Sequence, residues 1–163
     1  MVIMLIIFYT IISVCFFLFV ADRSKFREYY SSLLCITYLR FLEQYLLVYI
    51  LKVWEYDHLP TPFAKIIGVP FLLDVTLFPM LGYLIIHYSN RSANKRMLYY
   101  LIWGVVLTFV ESTMVWTGLL EHQKSWNFTA TFLLAMATVV IIHGQYRLFL
   151  KTGWFPIDSK GRS

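Results

Sequence analysis

The sequence predicts an all-α integral membrane protein, a single domain over residues 1–163 formed by a bundle of five transmembrane helices. The chain is 60% hydrophobic and only 14% charged, which lies well outside the composition of soluble domains. It also contains five apolar runs, each long enough to cross a hydrocarbon core of about 30 Å as a helix. The predicted spans are residues 2–21, 30–51, 65–88, 97–119 and 126–148.

The basic residues between the spans predict the orientation of the chain. If the N-terminus lies outside, ten of them fall in the three internal regions and three in the external ones. Because basic residues concentrate in the cytoplasmic loops of multi-span proteins, we expect the N-terminus outside and the C-terminus inside. The internal residues are Arg23, Lys25, Arg27, Arg91, Lys95, Arg96, Arg147, Lys151, Lys160 and Arg162, and the external ones are Lys52, Lys65 and Lys124.

The five spans differ in what interrupts them. The first is uninterrupted and is predicted to remain as a helix rather than to be removed as a signal peptide. The second carries Arg40 and Glu43 near its middle, and the third contains Pro70 and Pro79, which are expected to kink it. The fourth carries Glu111 in its outer half. The fifth has the small residues typical of closely packed helices, which are Thr129, Ala130, Thr131, Ala135, Ala137, Thr138 and Gly144.

The predicted spans place the intramembrane charges at a similar depth in the bilayer. Glu43, Asp74 and Glu111 each lie a similar distance from the outer end of their span, about 12 Å at the rise of a helix. Arg40 lies one turn deeper, on the same face of its helix as Glu43. Three acids and one arginine carry a net negative charge that is too costly to leave uncompensated in an apolar interior. We therefore expect a protonated carboxyl group or a bound cation among them.

Arg40, Glu43, Asp74 and Glu111 form the candidate site, and three interpretations of it are open. The four residues could be a structural clamp between helices, a proton or cation site, or a catalytic or ligand-binding pocket. In a transport site, Glu111 or Asp74 would exchange a proton or cation while Arg40 holds the remaining charge. The polar side chains expected to complete the hydrogen bonding are Gln44, Thr76, Ser112 and Thr113.

No metal, cofactor or catalytic residue is predicted. His58 lies beside Glu55 and Asp57 in one external connector, and Glu121 and His122 lie in the other. These side chains could hold a metal ion, but carboxylates and imidazoles in exposed loops are usually solvated. The chain contains none of the short motifs of serine hydrolases, zinc proteases or phosphate-binding loops. Nucleic acid is excluded as a partner because the basic residues are divided among three membrane-flanking regions.

Short sequence words occur at characteristic spacings: Val53-Trp54-Glu55-Tyr56, Asp74 with Phe78-Pro79, Ile102-Trp103-Gly104-Val105 with Glu111, and Trp126-Asn127. Together they resemble a family of small, uncharacterised multi-pass membrane proteins of Bacillota, including spore formers. The resemblance covers about residues 30–149, and Ser125 stands where the family often has glycine. It implies a multi-pass architecture in a bacterial plasma membrane, and the family has no established activity.

We expect a non-enzymatic membrane protein, either a small transport component or a subunit of a larger membrane assembly. The expected partners are the lipid bilayer and either another membrane protein or a second copy of the chain. The alternative is an intramembrane enzyme in which Asp74 or Glu111 protonates a lipid or isoprenoid substrate. This alternative follows a resemblance to small integral-membrane carotenoid cyclases, which use intramembrane acids. The chain lacks the adjacent carboxylate pair typical of those proteins.

Overall fold

The structure is a computed structural model that describes residues 1–57, 59, 62–67, 69–89, 96–123 and 126–151. Most of these residues are helical, and one short ribbon has two strands. The helices are α1 (Val2–Cys15), α2 (Arg23–Gln44), α3 (Pro62–Ile67), α4 (Phe71–His87), α5 (Arg96–Trp116) and α6 (Phe128–Lys151). The strands are β1 (Trp54–Tyr56) and β2 (Leu120–His122), and α1 and α2 continue into π-helical segments, Phe16–Val20 and Tyr45–Ile50.

Four helices in the described residues are long and apolar enough to cross a membrane. They correspond to the first, second, fourth and fifth predicted spans. The prediction of a helical protein with membrane-length apolar segments is therefore confirmed. The four segments are Val2–Val20, Glu28–Ile50, Arg96–Trp116 and Phe128–Leu150.

The third predicted span is not a single helix. The sequence predicts one kinked helix over residues 65–88, but the chain breaks at Val69 and Pro70, between α3 and α4. Proline has no N–H group and disfavours helical backbone in the residue before it, which favours a break between α3 and α4. Pro70 instead precedes the first turn of α4, where its carbonyl oxygen accepts a hydrogen bond from the N–H of Leu73 at 2.9 Å. Pro79 stays inside α4.

Helix α4 lies at the centre of the bundle, where it packs against α1, α2 and α6. It lies close to α2 at Gly82, where a Cβ atom would stand 2.7 Å from Cγ2 of Ile36. Glycine at this position therefore lets the two backbones come together. The buried residues of α4 are Leu73, Asp74, Leu77, Phe78, Met80, Leu81, Gly82, Tyr83, Ile85 and Ile86.

The two strands join the end of α2 to the end of α5. They pair in antiparallel fashion, with Trp54 opposite His122 and Tyr56 opposite Leu120. Trp54 and Tyr56 are buried and Glu55 is exposed, as expected for a strand with one face on the protein. Because the strands closely follow α2 and α5, both helices point to the same end of the bundle, which we call the ribbon end.

The opposite end of the bundle contains the α1–α2 turn, and we call it the turn end. Hydrogen bonds between segments far apart in sequence stabilise it. The N–H of Asp22 in that turn donates to the hydroxyl of Tyr83 at 2.9 Å. The hydroxyl of Tyr146 donates to Oε1 of Glu28 at 2.5 Å. The C-terminal halves of α4 and α6 therefore lie beside the start of α2, and these two helices run opposite to α2 and α5.

We expect Gly82→Ala to destabilise the bundle, because the added methyl group would overlap the branched and almost fully buried side chain of Ile36. Overpacking of this kind costs about 1–3 kcal/mol. The measurement is the free energy of unfolding in detergent micelles. Gly144→Ala in α6 is the control, since no atom lies within 4 Å of the position its Cβ would take. Equal unfolding free energies for Gly82→Ala and the wild type would contradict the close packing of α2 on α4.

Candidate functional site

The guanidinium of Arg40 lies inside the bundle and forms ion pairs with two carboxylates. Its Nε is 3.4 Å from Oδ1 of Asp74 in the first turn of α4. Its Nη1 is 3.4 Å from Oε2 of Glu43, one turn further along α2. The Arg40 side chain is 5% exposed and that of Asp74 is fully buried. Arg40 and Asp74 therefore form a buried ion pair that joins α2 to α4.

Aromatic side chains supply further contacts to the guanidinium. The ring centroid of Phe78 on α4 lies 4.4 Å from Cζ of Arg40, and that of Trp54 on β1 lies 5.1 Å away. A cation over an aromatic face is attracted by the negative charge density of the ring. Nη2 of Arg40 also donates a hydrogen bond of 2.9 Å to the hydroxyl of Tyr56. Contacts from α2, α4 and β1 together thus stabilise the buried charge of Arg40.

Gln44 adds donors to the Asp74 carboxylate. Its Nε2 lies 3.0 Å from both carboxylate oxygens and 3.3 Å from the hydroxyl of Tyr56. Burial raises the pKa of Tyr56 above its usual range, so this hydroxyl stays neutral while it accepts from Arg40 and Gln44. We call Arg40, Asp74, Gln44 and Tyr56 the arginine network. Within it, the positive charge and one negative charge compensate each other.

Each of the two glutamates accepts a hydrogen bond from a threonine of α6. Thr138 donates to Oε1 of Glu43. Thr131 donates to Oε1 of Glu111 at 2.7 Å, and its own hydroxyl oxygen accepts from Nε1 of Trp126 at 2.9 Å. Helix α6 therefore orients one carboxyl group from α2 and one from α5.

His122 on β2 is a second partner of Glu111. Its Nε2 lies 2.9 Å from Oε1 of Glu111, and the two atoms form a hydrogen bond, or an ion pair when the imidazole is protonated. The imidazole also stacks on the indole of Trp54, with the ring centroids 6.4 Å apart. The side chains of His122 and Glu111 are 11% and 12% exposed, so both lie near the surface at the ribbon end.

Glu43 and Glu111 line the same small cavity, which has a volume of about 30 Å³. Its other polar lining residues are Arg40, Thr131 and Thr138, and the remaining ones are apolar. A bound water molecule needs only about 10–15 Å³ of space open to a water-sized probe, so the cavity is large enough for a water molecule or a small ion. Asp74 does not line the cavity. The three acids therefore divide into one carboxylate inside the arginine network and two at the cavity.

The structure brings Arg40 into direct contact with Glu43 and Asp74. Glu111 lines the same cavity as Arg40 and Glu43, and its hydrogen-bond partners are His122 and Thr131. Among the four neighbouring polar residues predicted to complete the hydrogen bonding, Gln44 does so. The prediction is wrong for the other three, since hydroxyls within helices often bond back to the preceding turn. These residues donate to main-chain oxygens of their own helices, and they are Thr76, Ser112 and Thr113.

Sequence reasoning missed the residues of the two connectors. Trp54, Tyr56 and His122 contact the site, although Trp54 and Tyr56 were expected at the level of the lipid headgroups and the imidazoles of the connectors were expected to be solvated. The alternation of buried and exposed positions in Trp54-Glu55-Tyr56 is the period-two pattern of a half-buried strand, and this pattern was available in the sequence. His58 lies outside the described residues. Within the residues that are described, no group of three or more His, Cys, Asp or Glu could hold a metal ion.

We expect Asp74→Asn to destabilise the protein, because it removes the negative charge beside Arg40 while it preserves side-chain size. Loss of one partner from a buried ion pair costs about 3–5 kcal/mol. The measurement is again the free energy of unfolding in detergent. Lys25→Gln is the control, since Lys25 belongs to an exposed pair with a distance of 4.0 Å and should change stability little. Equal stability of the two variants would contradict a stabilising role for the buried pair.

No protein-family model, curated protein or solved structure matches the chain. The resemblance to membrane proteins of Bacillota therefore stays a prediction. Function has to be inferred from the arginine network and from the cavity beside it.

Proposed function

We propose that the chain is a non-enzymatic protein of a bacterial plasma membrane, with five transmembrane helices, the N-terminus outside and the C-terminus inside. The directions of the helices support five crossings. Because α2 and α5 both point to the ribbon end, the chain has to return to the turn end between them, and α4 is the helix that does so. At the rise of a helix α4 is about 25 Å long. A bilayer adapts at modest cost to a span a few Å shorter than its core.

We infer that the cavity is the proton or cation site of a small transport component. The observation that carries this inference is the lining of the cavity, in which Glu43, Glu111 and two threonine hydroxyls surround a space of about 30 Å³ beside Arg40, whose charge Asp74 offsets from outside the cavity. Carboxylate and hydroxyl oxygens are suitable ligands for hard cations. A cavity of this size accepts a single ion or a water molecule.

The balance of charges also favours a bound proton or cation. Arg40 and Asp74 compensate each other across 3.4 Å, which leaves the charges of Glu43 and Glu111. A protonated His122 would offset one of them at a contact distance of 2.9 Å. A proton or a monovalent cation in the cavity would offset the other, since neighbouring carboxylates do not both stay ionised without compensation.

Access to the cavity is proposed to come from the ribbon end. Glu111 lies at the cavity and also bonds His122, which is partly exposed there. In the proposed topology the ribbon end faces outward. Because Glu111 itself is 12% exposed, an external proton would reach it directly or through the neighbouring imidazole.

The alternative of an intramembrane enzyme has less support. Such an enzyme needs an apolar cavity that ends at an acid and holds a lipid or isoprenoid substrate. The acid-lined cavity has room for about one water molecule, and a larger groove of about 540 Å³ has no acid among its lining residues. Neither space combines the required volume with Asp74 or Glu111.

The assembly subunit also has less support than the transport component. Small residues that close-pack with a partner helix should be exposed on the outside of the bundle. In α6, Thr131, Ala135 and Thr138 are instead buried within the bundle, and only part of the small-residue set, including Ala137 and Gly144, is exposed.

The proposed topology predicts opposite accessibility for two exposed positions. In a background of Cys15→Ala and Cys35→Ala, Glu121→Cys should react with a membrane-impermeant maleimide added to intact cells. Lys25→Cys should react only after the cells are opened, because three proposed membrane crossings, by α2, α4 and α5, separate the two positions. The mass shift of the purified protein measures the reaction. Equal labelling of the two positions would mean that α4 does not cross the membrane. The reverse pattern would mean that the topology is the inverse of the proposed one.

Reconstituted in liposomes, the wild-type protein should conduct protons or Na⁺ down an imposed gradient. We expect Glu43→Gln and Glu111→Gln each to reduce this flux by about tenfold or more, because a neutral amide cannot exchange a proton or balance a cation. The rate is measured with pH-sensitive and Na⁺-sensitive dyes trapped in the liposomes. Glu121→Gln is the control, since this residue is exposed and does not line the cavity.

The same experiment separates the transport component from the structural clamp. Flux of protons and Na⁺ no faster than in protein-free liposomes would contradict transport. If the two cavity variants also unfold at lower temperature than the control, the glutamates act as part of a clamp between helices.

A further inference from the structure

Helices α2 and α6 pack against each other from the cavity to the turn end of the bundle. The residues that meet between them recur at intervals of three or four along each helix, so they lie on one face of that helix. We call these residues together the α2–α6 seam. They are Glu28, Ser32, Ile36, Arg40 and Glu43 on α2, and Thr131, Ala135, Thr138, Ile142, Gln145 and Tyr146 on α6.

Two hydrogen bonds join the helices on the turn-end side of the cavity. The hydroxyl of Ser32 donates to Oε1 of Gln145 at 2.9 Å. One turn closer to the surface, the hydroxyl of Tyr146 donates to Oε1 of Glu28 at 2.5 Å. Ser32 is fully buried, whereas Glu28 is partly exposed. The polar contacts of the seam therefore extend from the inside of the bundle to its surface at the turn end.

The cavity continues the seam on the other side. Thr138 donates to the carboxyl group of Glu43, and both residues line the cavity. Ile36 also lines it, and among the lining residues of α2 it lies closest to the turn end. Ser32 is one turn beyond Ile36, a rise of about 6 Å. A single turn of α2 thus separates the wall of the cavity from the first hydrogen bond of the turn-end side.

Two isoleucines occupy this turn, one on each helix. Ile142 lies between Thr138 and Gln145 on α6, and the hydrogen bonds of these two neighbours place it at the level of Ile36. The two isoleucines are 0% and 1% exposed. An apolar constriction excludes water and stops an ion until it becomes wet. We call Ile36 and Ile142 the isoleucine layer, and this layer separates the cavity from the polar contacts at the turn end.

The side chains beyond the layer suit a proton better than a metal cation. A cation such as Na⁺ requires several oxygen ligands at once to replace its water. Ser32 and Gln145 offer one hydroxyl group and one amide group at their level of the seam. A proton is instead passed along hydrogen-bonded side chains and intervening water, and intramembrane carboxyl groups commonly mark such routes.

We propose that the ion transported is the proton, and that it leaves the cavity across the isoleucine layer, passes Ser32 and Gln145, and is released at Glu28. The Glu28 carboxylate accepts the proton and then gives it to water at the turn end. Tyr146 holds this carboxyl group against the seam. The inference rests on the proposed transport through the cavity, and it names the ion and the second opening of the route.

Variants of Glu28 separate a role in proton release from a structural role. Proton and Na⁺ fluxes are measured in liposomes with trapped dyes, and the wild type should conduct protons and not Na⁺. Glu28→Gln keeps the length of the side chain and an oxygen for Tyr146, but it cannot take up a proton, so proton flux should fall about tenfold. Glu28→Asp keeps a titratable carboxyl group on a shorter side chain and should retain most of the flux.

A purely structural role of Glu28 would give the opposite order, because Gln preserves the contact with Tyr146 better than Asp does. Glu55→Gln is the matched control and should leave the flux unchanged. Like Glu28, Glu55 accepts a hydrogen bond from one side chain, that of Gln123 at 2.9 Å, but it lies on the exposed face of the ribbon.

The isoleucine layer is tested by a polar substitution on α6. Ile142→Thr places a hydroxyl group in the layer and should admit water, which raises proton flux severalfold. Ile141→Thr is the control, because Ile141 is the exposed neighbour on the same helix and lies outside the seam. Equal flux in these two variants would overturn the barrier. If Ile142→Thr does not fold, the order of the two Glu28 variants decides the route.

Failure of the inference differs from failure of the proposed function. A wild-type protein that conducts neither protons nor Na⁺ faster than protein-free liposomes would contradict the transport function itself. A wild-type protein that conducts Na⁺ and not protons would overturn the inference and leave transport through the cavity in place. Proton flux of wild-type rate in Glu28→Gln would likewise overturn the release at Glu28 alone.

Discussion

A guanidinium charge inside an apolar bundle is the constraint on which the rest of this structure depends. Removal of an ion from water costs several kcal/mol unless an opposite charge and hydrogen bonds replace the lost hydration. Arg40 obtains them from Asp74 on α4, from Glu43 on its own helix, and from Trp54 and Tyr56 on β1. Because these partners come from separate parts of the chain, Arg40 is compensated only when α2, α4 and the ribbon are in place together.

The ribbon extends this constraint to the other half of the bundle. Its first strand contacts Arg40, and its second strand places His122 against Glu111 on α5. The stacking of His122 on Trp54 joins the two strands through their side chains as well as their backbones. The connectors after α2 and α5 are thus part of the polar site, and a change in the charge of His122 would act directly on the carboxyl group at the cavity.

The acids of the site have different environments, and this difference is the basis for their proposed roles. Asp74 is fully buried and receives hydrogen bonds from Arg40 and Gln44, which suits a structural contact. Glu43 and Glu111 are each oriented by a threonine of α6 and line a space the size of a water molecule. Only these two glutamates combine an oriented carboxyl group with room for an ion.

Several features of this protein followed from the sequence alone, because they depend on local properties. The transfer free energy of an apolar run decides its place in a bilayer, so four membrane-length helices were predicted correctly. Helix periodicity also predicted that Arg40 and Glu43 share a face of α2, and the two side chains are in contact. That the three acids lie at a similar depth in a bilayer stays a prediction. Depth alone does not determine how each helix is rotated about its axis, and that rotation selects which acid contacts Arg40.

Other features were decided only by the tertiary structure. Pro70 could have produced either a kink or a break, and the packing of α4 at the centre of the bundle corresponds to a break. The strands β1 and β2 are far apart in sequence, and they pair because α2 and α5, which precede them, end at the same end of the bundle. The contact between His122 and Glu111 follows from that pairing. Such contacts between distant segments depend on the packing of the whole chain, which no single stretch of sequence specifies.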